Sequence, residues 1–268
     1  MAFPSTARTE PVAARLPRIG LLGWLRFGVR LCLLLLLLAS LVPLQLITRA
    51  MGKHAHWPRL FLGSAARIMG ARVEIAGPMV ARNVFFLPNH STWLDILIMG
   101  GATGTAFIGK AELRDTPVIG WLCDQNRTLY VSREDKMGVA GQIAMVRDAL
   151  AENHAITVFP EGTTTDGQSL LPFKTSLLAV LEPPPPGMQV QPVLISYGTA
   201  APDIVWVGDE PGLHNGIRVL ARAGHFTVRL EFLAPFDPQE LAGRKAIAAR
   251  ARGELAAALS SEIGRHVG

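Results

Sequence analysis

Three regimes of apolar and polar positions follow one another along the chain. From Leu31 to Ile47 the sequence LCLLLLLLASLVPLQLI carries no charge and no polar face. This run is at the lower limit of what crosses a hydrocarbon core of ~30 Å, and Pro43 and Gln45 weaken its last turns. A leucine run without a polar face is poor material for a core helix of a soluble domain. A cleaved signal peptide is the weaker competitor, because the basic leader is long and no clean small-x-small site follows Ala39. The run is therefore read as a membrane segment.

Its topology is ambiguous. Arg8, Arg15, Arg18, Arg26 and Arg30 precede it against the single acid Glu10, and Arg49, Lys53, Arg59 and Arg67 follow it before Glu74. Both flanks are basic, so the positive-inside rule selects no side. One arrangement that satisfies both is a segment that enters and returns, with a kink at Pro43. The second regime follows. Trp57, Leu60, Phe61, Ala65 and Ile68 form one helical stripe, and Arg59, Gly63 and Arg67 share another face. That pattern is an interfacial amphipathic helix or, equally, a surface helix of the domain.

After Gly70 short runs rich in Val, Ile and Phe alternate with helix-like stretches. The strands expected are Val73–Ile75, Val84–Leu87, Ala106–Ile108, Leu129–Val131, Ile156–Phe159, Val190–Ile195, Ile204–Val207 and Phe226–Phe232. The helices expected between them are Trp93–Met99, Val118–Asp124, Lys136–Glu152, Lys174–Leu181 and Leu213–Arg222. A last helix is expected from Asp237 as cap, Pro238 and Glu240, with Leu241, Ala248, Ala251, Leu255 and Leu259 as its apolar face. Strands alternating with helices predict an α/β fold: a largely parallel central sheet flanked by helices, preceded by a membrane-embedded helix or helical hairpin. The expected organisation is an anchor with an amphipathic helix over residues 1–70 and one domain over 71–268.

Composition narrows the function. Of 268 residues, 49% are hydrophobic and 18% charged, which excludes a disordered or coiled-coil chain. Lys and Arg number 26 against 21 Asp and Glu, a net charge of +5. With an apolar segment present, that balance points to an anionic membrane surface or substrate. No basic block is interleaved with aromatics, so nucleic acid is not expected as a partner. Cys32 and Cys123 make neither a disulfide framework nor a Cys-based zinc site. No H-E-x-x-H stretch and no Cys/His cluster occurs, so no metal is expected. No G-x-S-x-G elbow occurs either, which argues against an α/β-hydrolase.

Two blocks carry polar chemistry. The first, Asn89-His90-Ser91-Thr92-Trp93-Leu94-Asp95, follows a strand and opens a helix. Side chains at such a corner face the crevice at the carboxyl edge of a parallel sheet. Five helical steps of ~100° leave two side chains about 140° apart. His90 and Asp95 therefore meet only if His90 precedes the helix and Asp95 lies in its first turns. Asp95 then fixes the imidazole tautomer and leaves the other nitrogen as a base. The plainer reading is a helix cap by Ser91 or Asn89 and a surface carboxylate. The second block is Phe159-Pro160-Glu161-Gly162-Thr163-Thr164-Thr165-Asp166-Gly167. Its hydroxyls and Gly-containing turn suit an anionic head group, with Lys174 nearby, or make an ordinary loop.

Together the blocks resemble the glycerolipid acyltransferase family that includes 1-acylglycerol-3-phosphate O-acyltransferases. Asn89-His90 through Asp95 is similar to its NHxxxxD motif, and Phe159 to Thr163 to its FPEGT block. Leu129-Tyr130-Val131-Ser132-Arg133 is similar to the motif whose Arg holds the acceptor's phosphate. Gly109-Lys110-Ala111-Glu112-Leu113 resembles a Lys-x-Glu-Leu element, and Val190-Gln191-Pro192-Val193 resembles the proline-containing strand. The five elements stand in the family's order and cover about residues 70 to 235. Thr164 departs from the Arg often found after FPEGT. The run from Glu161 to Gly167, LPFKTSLL and Val205-Trp206-Val207-Gly208-Asp209 are similar to a branch that acylates lyso-ornithine lipids.

The resemblance implies a membrane-bound transferase of lipid biosynthesis, with residues 71–268 as its acyltransferase domain. A fatty acyl group would pass from acyl-CoA or acyl carrier protein to a lysolipid hydroxyl, without a covalent enzyme intermediate or a further cofactor. His90 and Asp95 are the catalytic candidates. Asn89, Lys110, Arg133, Glu161, Gly162, Thr163 and Lys174 are the substrate-binding candidates, with oxyanion donors near Gly162 and Thr163. The acceptor expected is 1-acylglycerol-3-phosphate or lyso-ornithine lipid. The place expected is a bacterial inner membrane, with the catalytic domain on the cytoplasmic face. The competing classes are a non-catalytic lipid-binding protein on the same fold and a membrane-bound esterase.

Overall fold

A computed structural model describes residues 19–52, 56–131, 141, 144, 149 and 155–267. Helix α1 (Leu21–Ala50) is followed by α2 (Trp57–Ile68), β1 (Ala71–Ala76), β2 (Val84–Pro88), α3 (Leu94–Thr103), β3 (Ala106–Lys110), α4 (Ile119–Gln125), β4 (Leu129–Val131) and β5 (Ile156–Thr157). Then come β6 (Gln189–Ser196), the single turn α5 (Ala201–Ile204), α6 (Gly212–Ala221), β7 (Phe226–Phe232) and α7 (Arg244–Ile263). The seven strands form one sheet in the order β1-β7-β6-β2-β5-β3-β4. Among the described strands only β6 and β7 pair antiparallel, so the sheet is largely parallel.

The sheet is covered on both faces, which is why its central strands read as unbroken apolar runs. Along β2 the side chains alternate between two cores. Val84 and Phe86 join Leu94, Ile98, Met99, Val228 and Leu230 on one face. Phe85 and Leu87 join Ile156, Leu178, Leu181, Ile247 and Leu255 on the other. Strands β2 and β5 run side by side in parallel, and Val158 N–H continues the ladder to Phe86 O at 3.1 Å. Their carboxyl ends thus bring the two polar blocks to one edge of the sheet.

Helix α1 has 30 residues, about 45 Å at 1.5 Å per residue, and is a candidate membrane span. It runs through Pro43 without a break, so of the helix and the helical hairpin considered for this segment the structure shows the single helix. Proline removes only one N–H from the ladder, and its neighbours continue the helix. One end of α1 is fastened to the domain. Arg30 donates to the carbonyls of Leu220 (2.9 Å), Arg222 (2.8 Å) and Gly224 (3.2 Å), and Arg26 to that of Ala221 (3.2 Å). The Leu220 and Ala221 carbonyls end α6, where a helix has unpaired acceptors and its negative pole, and those of Arg222 and Gly224 follow directly after it.

Helix α2 lies on α3 through its small residues. A Cβ on Gly101 would stand 2.4 Å from Gly63 Cα, so the two backbones touch there. Arg59 donates to Gly101 O at 3.2 Å and Ala102 O at 2.5 Å, closing the end of α3. Gly63, expected on the polar face, is therefore part of the packing face with Leu62 and Ala66. Leu60 of the expected apolar stripe stays exposed.

Three further expectations change. Ile204–Val207 is not a strand; it is the end of α5 followed by a loop, whose Val205 carbonyl accepts from Asn215 and Arg218. Lys174–Leu181 is a 3-10 segment, Thr175–Leu181. Asp237 caps a short 3-10 turn, Pro238–Glu240, and α7 begins only at Arg244, after Gly243 at φ +78°. The expected helix Lys136–Glu152 lies outside the described residues except Gly141, Ala144 and Ala149, which are helical.

Candidate active site

Strand β2 ends at Pro88, and five residues turn the chain into α3. Asn89 is fully buried and serves this turn from its side chain. Its Oδ1 accepts Ile195 N–H at 2.7 Å and its Nδ2 donates to Ile195 O at 3.0 Å, extending the β2–β6 contact by one side-chain rung. The structure thus spends Asn89 on the scaffold, where contact with substrate was expected.

His90 precedes α3 and Asp95 lies in its first turn. The turn wraps around the carboxylate. Asp95 Oδ2 receives Ser91 N–H at 2.7 Å, Thr92 N–H at 3.0 Å and His90 Nδ1 at 2.9 Å. A carboxylate in the first helical turn also meets the positive end of the helix dipole. Asp95 is fully buried, whereas the His90 side chain is 16% exposed. With Nδ1 committed to a carboxylate acceptor, the neutral ring carries its proton there, and Nε2 keeps a lone pair. Among the described residues none bonds Nε2. The ring is stacked on Phe159, with centroids 4.1 Å apart and planes 24° apart.

The second block grips the backbone of the first. Glu161 Oε1 accepts His90 N–H at 2.9 Å, and Oε2 accepts Leu171 N–H at 2.8 Å. Glu161 is fully buried, and burial pushes its carboxyl up to about 7 against the opposing pull of those two donors. Thr165 holds the other side of the same residue, with its N–H 2.8 Å and its Oγ1 3.2 Å from His90 O. Glu161, expected on the substrate, is therefore engaged beneath the site. Thr164 Oγ1 donates to Trp206 O, and Trp206 N–H donates to Ser91 O at 2.9 Å, so the loop after α5 is tied to both blocks.

The remaining expected residues scatter. Gly162 takes φ +68° in the turn, and its N–H is spent on Phe159 O at 3.1 Å. Thr163 is exposed beside it. Lys174 is exposed, and its N–H donates to Pro160 O at 2.8 Å, which sets it against the Pro-Glu-Gly turn. Lys110 closes β3, two strands from β2. Arg133 lies outside the described residues.

One residue at the site was not foreseen. Tyr197, just past β6, donates its hydroxyl to Asp95 Oδ1 at 2.5 Å. Burial and the adjacent Asp95 carboxylate push its phenol well above the ordinary range, so it stays a donor. The only trace in the sequence is a polar aromatic at the end of an apolar strand, 102 residues from its partner.

A family model described as Acyltransferase matches residues 72–196. A lyso-ornithine lipid O-acyltransferase of Rhizobium meliloti is 32% identical over 246 residues, 85% of this chain and 83% of that one. Its namesake in Rhodobacter capsulatus is 31% identical over 264 residues, 93% of this chain and 95% of that one. Among solved structures, the 1-acyl-sn-glycerophosphate (LPA) acyltransferase PlsC of Thermotoga maritima is similar with a TM-score of 0.68 at 20% identity, over 92% of this chain and 97% of that one. That last likeness speaks to the fold alone.

Proposed function

Because the chain belongs to the Acyltransferase family, we propose that it is a membrane-bound lysolipid O-acyltransferase whose acceptor is a lyso-ornithine lipid. The observation that carries the chemistry is His90: Nδ1 held 2.9 Å from a buried carboxylate, Nε2 unbonded by any described residue, at the carboxyl end of a central strand. The two relatives named above support the acceptor.

In this reading His90 Nε2 takes the proton from the acceptor hydroxyl as its oxygen attacks the thioester carbonyl of acyl-CoA or acyl carrier protein. Asp95 holds the ring and offsets the charge that the imidazolium gains. The tetrahedral intermediate collapses with loss of the thiolate, which recovers the proton from Nε2. An ester bond forms, a thioester bond breaks, and no cofactor beyond the donor is consumed. Gly162 N–H is spent within its turn and Thr165 N–H on His90 O, so the amides of Thr163 and Thr164 are the candidate oxyanion donors on that loop. Lys174, Lys110 and Arg133 supply positive charge toward the carboxylate of the acceptor. Residues 1–70 act as the anchor and 71–268 as the acyltransferase domain, at the cytoplasmic face of a bacterial inner membrane.

The test is transfer of labelled acyl-CoA and acyl carrier protein to a panel of lysolipids by the purified protein. A diacylated ornithine lipid is the expected product. Preference for 1-acylglycerol-3-phosphate would replace the acceptor, free fatty acid would indicate an esterase, and no transfer to any acceptor would leave a lipid-binding role. General-base help is worth ~10²–10⁴ in rate, so His90→Ala is expected to lose at least the lower figure. Retained transfer by that folded variant refutes the base.

A further inference from the structure

Asp95 is held more completely than its contact with His90 requires. Its Oδ2 already takes His90 Nδ1, Ser91 N–H and Thr92 N–H. A carboxylate fixed through one oxygen still turns about its last bond, and that rotation spoils the aim of the lone pair at Nδ1. The other oxygen, Oδ1, meets the Tyr197 hydroxyl at 2.5 Å. Tyr197 comes from beyond β6, on the far side of β2 from the second block, and is itself buried against Phe226, with ring centroids 6.2 Å apart. Among the described residues Asp95 is the only hydrogen-bond partner of that hydroxyl.

We propose that Tyr197 is a positioning residue for the base: it locks the rotation of the Asp95 carboxylate and draws part of its negative charge onto Oδ1, away from the imidazole. The proposal rests on the reading of His90 as the base. A buried phenol needs some acceptor, and a backbone carbonyl satisfies that need at no cost to the site. Placing it on a carboxylate has a second effect, because a charge-assisted hydrogen bond redistributes the charge that the imidazolium feels. The effect has a sign. Without the phenol, Asp95 bears its full charge toward Nδ1 and stabilises imidazolium more, so His90 stays protonated to higher pH. A stronger phenol donor does the reverse.

The ionisable groups facing this pair come from three elements. Asp95 lies on α3, Tyr197 follows β6, and Glu161 reaches the His90 backbone from the loop after β5. Arg222 stands behind Phe226, 5.3 Å from its ring. Glu161 titrates in the same range as an imidazole, so the comparison is made with Glu161 intact and again in Glu161→Gln.

The experiment measures kcat, KM and the acid limb of kcat/KM for Tyr197→Phe in the full-length protein. Losing a hydrogen bond to a charged group is expected to lower kcat about tenfold, with KM unchanged and the acid limb moved to higher pH. A gentler variant guards against misfolding. The chain has two tyrosines, so in a Tyr130→Phe background 3-fluorotyrosine replaces only Tyr197. There the more acidic phenol is expected to move the acid limb to lower pH. An unmoved limb in both variants overturns the proposal, whether or not kcat falls, because a role in packing alone predicts no such movement. Activity retained by His90→Ala would instead overturn the base assignment itself, so the two failures are distinguishable.

Discussion

Glu161 and His90 are joined through backbone and not through ring: Glu161 Oε1 lies 2.9 Å from His90 N, while the imidazole points to Asp95. A buried carboxylate thus fixes the seat of a ring that a second buried carboxylate aims.

The first carboxylate makes stability depend on pH. Its folded value is raised from 4.5 to about 7 by burial. Between those values the folded chain holds the proton more tightly than the unfolded chain. Its contribution is therefore full below about pH 4.5 and lost as pH rises through about 7, on the order of 3 kcal/mol. Thermal unfolding of the wild type is expected to show that decline, and Glu161→Gln to flatten it. An undiminished slope in Glu161→Gln assigns the dependence to another group.

Asn89→Leu is expected to lower stability by about 3 kcal/mol, because it leaves both Ile195 N–H and Ile195 O buried without their partner. Asn89→Asp keeps the acceptor but sets a second oxygen against Ile195 O. Denaturant unfolding checks both. A neutral Asn89→Leu would mean that the strand end closes without this rung.

Gly101→Ala places a methyl 2.4 Å from Gly63 Cα, a backbone contact that no rotamer relieves. Overpacking of this kind costs about 1–3 kcal/mol. The expected signs are a lower unfolding midpoint and faster amide exchange in α2. Gly63→Ala, whose methyl would lie 3.4 Å from Gly101 Cα, is expected to cost less.

Arg30→Ala removes the donors that close the end of α6 and hold α1 to it. Bonds of a charged donor are worth about 1.5–3 kcal/mol. Amide exchange around Leu220–Gly224 and in the first turns of α1 is expected to rise, while turnover in detergent changes less than twofold. Unchanged exchange would show that the apolar contacts of α1 suffice to hold it.

Much of this structure is legible in local pattern. The strands of the central sheet are apolar runs because helices cover both faces, and that burial is visible in composition. The meeting of His90 and Asp95 follows from a strand-to-helix corner and a spacing of five. What was not legible depends on distant partners. Val205 is β-branched and apolar, yet Asn215 and Arg218 of α6 take its carbonyl into a loop. Asp237 and Pro238 are sound helix openers, but Gly243 at φ +78° moves the start of α7. Glu161 reads as a turn residue or a substrate contact, since nothing beside it in sequence announces that it is buried. Tyr197 belongs to the same class, its partner lying across β2.

At Gly63 and Gly101 no side-chain atoms lie between α2 and α3, so nothing there cushions one against the other. A tilt of α2 is handed on to α3 as to a rigid strut. The leading turn of that strut holds Asp95, and α1 leans on α2. The residue that aims the imidazole and the long apolar helix thus belong to one continuous stack of packed helices.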